Sequence, residues 1–122
     1  MALKTYKDLE EILLTYDDAW LEFPFGKEKS VYKVGEKQTK EGEMFALIEN
    51  ESNPIRLSLR CDPALCTKLR EVYETVMPAF NLNKKYWNTL IMTGQVPDDE
   101  LISLIAISYN LAKNSETNRL PR

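Results

Sequence analysis

At 122 residues, with 43% apolar and 29% charged content, the chain has the size and composition of one globular domain. Its net charge of −3 and pI near 5.1 argue against a strong, nonspecific hold on nucleic acid, which comes from clustered Lys and Arg. There is no histidine, so the commonest general base and the commonest transition-metal ligand are missing together.

No stretch approaches the ~18 apolar residues that a membrane-spanning helix needs. The start, MALKTYKDLEE, turns charged at once without the apolar centre of a secretory signal, and a cytoplasmic location is expected.

Thr5 followed by Asp8 resembles a capping box, with Asp in place of Glu or Gln. Leu9, Ile12, Leu13 and Tyr16 then form one apolar stripe of an amphipathic helix. That helix is expected to end before the turn Phe23-Pro24-Phe25-Gly26. Trp20, Phe23 and Phe25 are expected to anchor the turn on the core, where most aromatic side chains go.

Three strands are predicted next. Val31, Tyr32 and Val34 around Lys33 form a short run stopped by Gly35, and the polar segment from Gly35 to Gly42 suits an exposed hairpin loop. Met44 to Glu49 is nearly all apolar, as a strand covered on both faces would be. After a turn at Glu51-Ser52-Asn53-Pro54, Ile55, Leu57, Leu59 and Cys61 alternate with Arg56, Ser58 and Arg60, the pattern of a half-buried strand.

Asp62-Pro63 supplies an N-cap and a proline at the first helical position. Leu65, Cys66, Leu69, Val72 and Tyr73 give this second helix its apolar face, and Met77-Pro78 is expected to end it. A fourth strand is placed near Val76 to Leu82 and a fifth from Tyr86 to Met92. Val96-Pro97-Asp98-Asp99-Glu100 opens a last helix, its acids set against the positive end of the dipole. The predicted order is α-β-β-β-α-β-β-α, and short links between strands favour antiparallel pairing. The expected fold is α+β: a two-layer sandwich with an antiparallel sheet and helices on one face. Residues 1–113 form the single domain, and 114–122 a polar, frayed tail.

The candidate chemistry is sparse. Cys61 and Cys66, five positions apart with no histidine, match no zinc or thioredoxin-type spacing and are read as buried free thiols. The acids Asp98, Asp99 and Glu100 are explained by their helix start. No phosphate loop or nucleophile motif is present, so no catalytic residue, cofactor or metal is assigned and the protein is read as a non-enzyme. What remains is basic and aromatic. Arg56, Ser58 and Arg60 share one strand face, Lys33 is a candidate for the same face, and Lys84 and Lys85 enter the last strand beside Trp87 and Asn88. These lie partly in an acid-free window, residues 75–97. On spacing alone, a solvated face of ordinary cations is the simpler account.

At residues 81–89, NLNKKYWNT, the chain resembles the MmcQ/YjbR family, small bacterial proteins usually described as predicted DNA-binding proteins with a double-wing motif. The resemblance continues through Phe23-Pro24-Phe25-Gly26, Val31-Tyr32-Lys33-Val34, Met44-Phe45-Ala46, Leu59-Arg60-Cys61-Asp62-Pro63 and Val96-Pro97-Asp98. It spans roughly residues 5–113, with Asn83-Lys84-Lys85 and Trp87-Asn88-Thr89 its most specific part. It implies a two-layer α+β fold and a DNA-binding role. Family members often carry histidine near this motif, where this chain has Asn81 and Tyr86, and the segment between Gly35 and Gly42 is longer than the usual hairpin.

Two functions follow as expectations. In the first, Lys84, Lys85, Arg60, Arg56 and Lys33 contact DNA phosphates weakly and salt-sensitively, while Asn83, Trp87 and Asn88 position or stack. In the second, the acidic chain uses a mixed apolar and basic sheet face as a protein-interaction or adaptor domain; its layered order resembles the fold of secretion chaperones, a fold-level analogy. A continuous positive groove on that face would favour the first, and a mixed face would count against it.

Overall fold

The computed structural model describes residues 5–36, 38–39 and 41–118, with side chains through residue 115. The first helix, α1 (Tyr6–Leu13), begins as expected, with the Thr5 hydroxyl accepting the Asp8 N–H at 3.1 Å. It buries Leu9 and Leu13 and stops at Leu13, well short of the Phe23 turn. Asp18 then takes φ of +61°, a left-handed conformation that Asp tolerates, and reverses the chain. Residues predicted to continue the helix or turn instead form strand β1 (Ala19–Glu22).

Strands β2 (Lys29–Glu36), β3 (Glu41–Glu49) and β4 (Arg56–Arg60) follow, then α2 (Pro63–Val72), β5 (Val76–Pro78), β6 (Trp87–Ile91) and α3 (Asp98–Asn118). The predicted order is present, with β1 added before its first strand. All six strands pair antiparallel in the order β1-β2-β3-β4-β6-β5. No described helix is long and apolar enough to cross a membrane.

The strand pairing sorts side chains into two faces, because residues directly opposite each other share a face. Tyr32, Ala46, Leu59, Ile48, Leu57, Leu90 and Val76 stand on one face and are buried against Leu9 and Leu13 of α1, Cys66 and Leu69 of α2, and Leu101, Ile105 and Tyr109 of α3. This is the core, and the helices lie on that side. Ser108 of α3 is completely buried and stitches two strands together. Its hydroxyl donates to the Phe45 carbonyl at 2.5 Å and accepts the Arg60 N–H at 2.9 Å. At the α1 end, Tyr16, Phe45 and Tyr109 form an aromatic cluster, and the Tyr109 hydroxyl donates to the Asp17 carbonyl at 2.6 Å.

Several boundaries differ from expectation. Gly35 and Gly42 do not bound a loop but face each other inside β2 and β3, so the strands run further toward the tip. A Cβ at Gly42 would meet the Val34 carbonyl oxygen at 2.5 Å and the Trp20 ring at 2.7 Å; glycine is what lets Trp20 lie across the hairpin. Residues 37 and 40 of the predicted loop lie outside the described residues. α2 ends at Val72, and Met77-Pro78 belongs to β5, an outer strand where proline's missing N–H costs no ladder bond. α3 continues to Asn118, so residues 114–118 of the predicted tail are helical. The rest of that tail lies outside the described residues.

Trp20 is buried, but against the hairpin on the sheet face opposite the core, and Phe23 and Phe25 are not anchored on the core either: they are 49% and 57% exposed. The turn between β1 and β2 holds its shape through backbone bonds instead, including Gly26 N–H to the Phe23 carbonyl at 3.4 Å. Cys61 and Cys66 are buried free thiols, as predicted. Burial pushes the Cys61 thiol far above its ordinary range, with the Cys66 hydrogen bond adding to it.

Candidate functional site

The second sheet face has no helix on it. Its central row runs straight across all six strands: Glu22, Val31, Leu47, Ser58, Thr89 and Met77. A parallel row two residues away holds Lys29, Glu49, Arg56 and Ile91. On the other side of the central row, Arg60 pairs with Trp87, and Trp20 with Lys33. Arg56, Ser58 and Arg60 therefore do share one face, as the alternation predicts, and Lys33 and Trp87 stand on it too.

The charges on that face are mixed. Lys33 Nζ lies 3.1 Å from Glu22 Oε1, and Arg60 Nη1 lies 3.7 Å from Glu43 Oε1. The Arg60 guanidinium also sits 5.8 Å from the centre of the Trp87 ring, and its half-burial lowers its affinity for the proton. Trp87 is only 8% exposed. Arg60 and Trp87 thus occupy one another, and Trp87 offers little ring to a ligand.

Asn88 is a correction to the expected contact set. Because strand residues alternate, it points opposite to Trp87, into the helix layer, and is 1% exposed. Its carbonyl accepts from Arg70 Nε at 2.6 Å, and its amide donates to the Cys66 carbonyl at 3.1 Å. No ligand reaches it. Its partner Arg70, on α2, went unnoticed in the sequence. Arg70 Nη2 also donates to the carbonyls of Lys84 and, at 3.4 Å, Trp87. One side chain on α2 therefore pins the loop that carries the lysines.

That loop, residues 79–86, joins β5 to β6. Asn83 caps its turn, with its side-chain oxygen accepting the Lys85 N–H at 3.1 Å. Lys84 Nζ lies 5.2 Å from the Phe80 ring centre and Lys85 Nζ 5.9 Å from that of Tyr86. Neither lysine is ion-paired among the described residues.

Between this loop and the Phe25 turn, the face sinks into a cleft of about 210 Å³. Its floor is Leu47, Ser58, Thr89 and Met77, and Phe25 and Phe80 stand at its walls. The cleft was not foreseen, because its parts come from four strands and two loops. Among the described residues, no group of three or more His, Cys, Asp or Glu side chains is placed to hold a metal ion.

A six-stranded antiparallel sheet with three helices on one face makes this a two-layer α+β domain. The chain belongs to the YjbR family, whose model matches residues 14–111. It is 34% identical over 71 residues to the uncharacterized protein YjbR of Escherichia coli K12, covering 58% of this chain and 60% of that protein's length. The uncharacterized protein YbdF of Escherichia coli O157:H7 is 27% identical over 97 residues, covering 80% of this chain and 75% of the other. Among solved structures, the Deinococcus radiodurans protein DR2400, a DUF419 domain, superposes with a TM-score of 0.84 at 30% identity, covering 94% of this chain and 89% of that one. A Pseudomonas syringae protein shares the fold, with a TM-score of 0.72 at 20% identity, 88% of this chain and 98% of that one.

Proposed function

We propose that the protein is a non-enzymatic binding module that receives a protein partner on the helix-free face of its sheet. The observation that carries this reading is the exposure of Phe25 and Phe80, 57% and 65%, on either side of a cleft with Leu47 and Met77 in its floor. Exposed aromatic side chains around an apolar depression are typical of interface centres, where aromatics are enriched and unmatched charges are few. On the same face Lys33 and Arg60 are already matched by Glu22 and Glu43, and two matched cations suit a protein better than a polyphosphate.

A second reading keeps the DNA-binding, double-wing role described for the family. Its support is confined to the loop, where Lys84 and Lys85 stand exposed beside Phe80 and Tyr86. Bases could stack on those rings while the lysines meet phosphates.

Affinity capture with two double variants separates the readings. A partner retained by Lys84→Glu/Lys85→Glu after nuclease treatment, but lost with Phe25→Ser/Phe80→Ser, supports protein docking. The opposite pattern, with DNA binding lost in the lysine variant, overturns it in favour of nucleic acid.

A further inference from the structure

We infer that the cleft between Phe25 and Phe80 is a binding site for a small monocarboxylate with an aromatic or branched apolar body. This goes beyond the protein-docking reading of the helix-free face: it concerns a small ligand of the cleft itself.

Size comes first. A cleft of about 210 Å³ exceeds the ~150 Å³ that admits benzene and falls below the range of drug-sized ligands. It has room for one ring or branched chain with a short polar end. Leu47, Met77, Phe25 and Phe80 supply apolar contacts for that body.

The polar groups are few and asymmetric. On the floor, the Ser58 and Thr89 hydroxyls lie 2.8 Å apart, with 2% and 6% exposure. Two hydroxyls carry two hydrogens, and the bond between them uses one. The second has no acceptor among the described residues, so the floor holds a buried donor without a partner. An acceptor entering the cleft would satisfy it.

The adjacent row supplies the charge. Glu49 stands directly between Lys29 and Arg56 on neighbouring strands, and all three line the cleft. Two cations and one carboxylate leave one positive charge over. That excess matches a monoanion rather than a dianion, and the planar guanidinium of Arg56 matches a carboxylate's geometry. A ligand carboxylate at this end, with its body between the two phenyl rings, uses every feature of the cleft.

The test is an amide-resolved NMR titration of the full chain with 3-phenylpropionate, 3-phenylpropionamide and phenyl phosphate. The carboxylate is expected to give saturable shifts at Leu47, Ser58, Phe80 and Thr89, with a Kd on the order of millimolar for a ligand this small. The neutral amide should bind at least tenfold more weakly, and phenyl phosphate no better than the carboxylate. Arg56→Gln, at an exposed position that keeps the fold, should weaken the carboxylate about tenfold while leaving the amide unchanged. No saturable shift at those residues, equal affinity for carboxylate and amide, or indifference to Arg56→Gln would each overturn the site. A flat titration beside intact protein capture removes this inference alone. Saturation beside failed capture supports it and removes only the protein-docking reading.

Discussion

Arg70 on α2 donates its Nε hydrogen to the buried Asn88 side chain on β6 at 2.6 Å, and its Nη2 donates to the carbonyls of Lys84 and Trp87. The helix layer thereby fixes a loop that belongs to the opposite face. A guanidinium suits the task because its planar fork serves several acceptors at once.

Removing Arg70 leaves the carbonyl of the buried Asn88 side chain without its donor. Arg70→Ala is expected to cost about 1–3 kcal/mol in urea unfolding, and Arg70→Lys to recover little, since an ammonium cannot span all three acceptors. Amide exchange should rise selectively across residues 83–87. Unchanged stability and exchange would show that the loop holds itself.

Ser108, in the same helix layer but on α3, leads to a similar prediction. Ser108→Ala leaves the Phe45 carbonyl and the Arg60 N–H without their partner, both facing a fully buried position. A loss of about 1–3 kcal/mol is expected in thermal or urea unfolding. A fully neutral substitution would mean that the strands recover these bonds elsewhere.

Stability should fall in alkali before the tyrosines of an unfolded chain finish ionising. Burial raises the folded Cys61 thiol above its ordinary value of 9.0, and burial with hydrogen bonding to Tyr6 raises the folded Tyr32 above 10.0. Both groups hold their protons in the folded chain while the unfolded chain releases them. The unfolded state then binds fewer protons, so stability declines as pH rises above 9, and more steeply above 10. The urea midpoint measured from pH 7 to 11 checks the sign, and Cys61→Ala should flatten the first part of the decline. Cys61 should also resist alkylation until the protein unfolds.

The loop lysines give the nucleic-acid reading its measurable form. With only Lys84 and Lys85 free to meet phosphates on that loop, a log–log salt slope near −2 is expected for duplex DNA. Lys33→Ala should leave any such binding unchanged and alter stability by less than about 1 kcal/mol, because its partly exposed pair with Glu22 is of modest worth. A steep slope, or strong dependence on Lys33, would mean that the sheet face itself carries phosphate contacts.

Local rules account for what the sequence by itself determined. Capping at Thr5 and Asp62, alternation along β4, the apolar run of β3 and the acids at the start of α3 each depend on neighbours in the chain, and each stands where expected. The motif residues 81–89 were enough to point to the family that the chain belongs to. Tertiary structure decided the rest. β1 exists only because β2 is there to pair with it, and Gly35 and Gly42 are strand residues only because each faces the other. Asn88 was legible as a polar residue beside Trp87, but which face it took depended on register. The window of residues 75–97 stood out in the sequence as basic and acid-free; the fold divided it into a pinned loop, a buried amide and one wall of a cleft. That cleft gathers residues from Phe25 to Thr89, and no local pattern records it, because only strand pairing brings Leu47, Ser58 and Thr89 into one row.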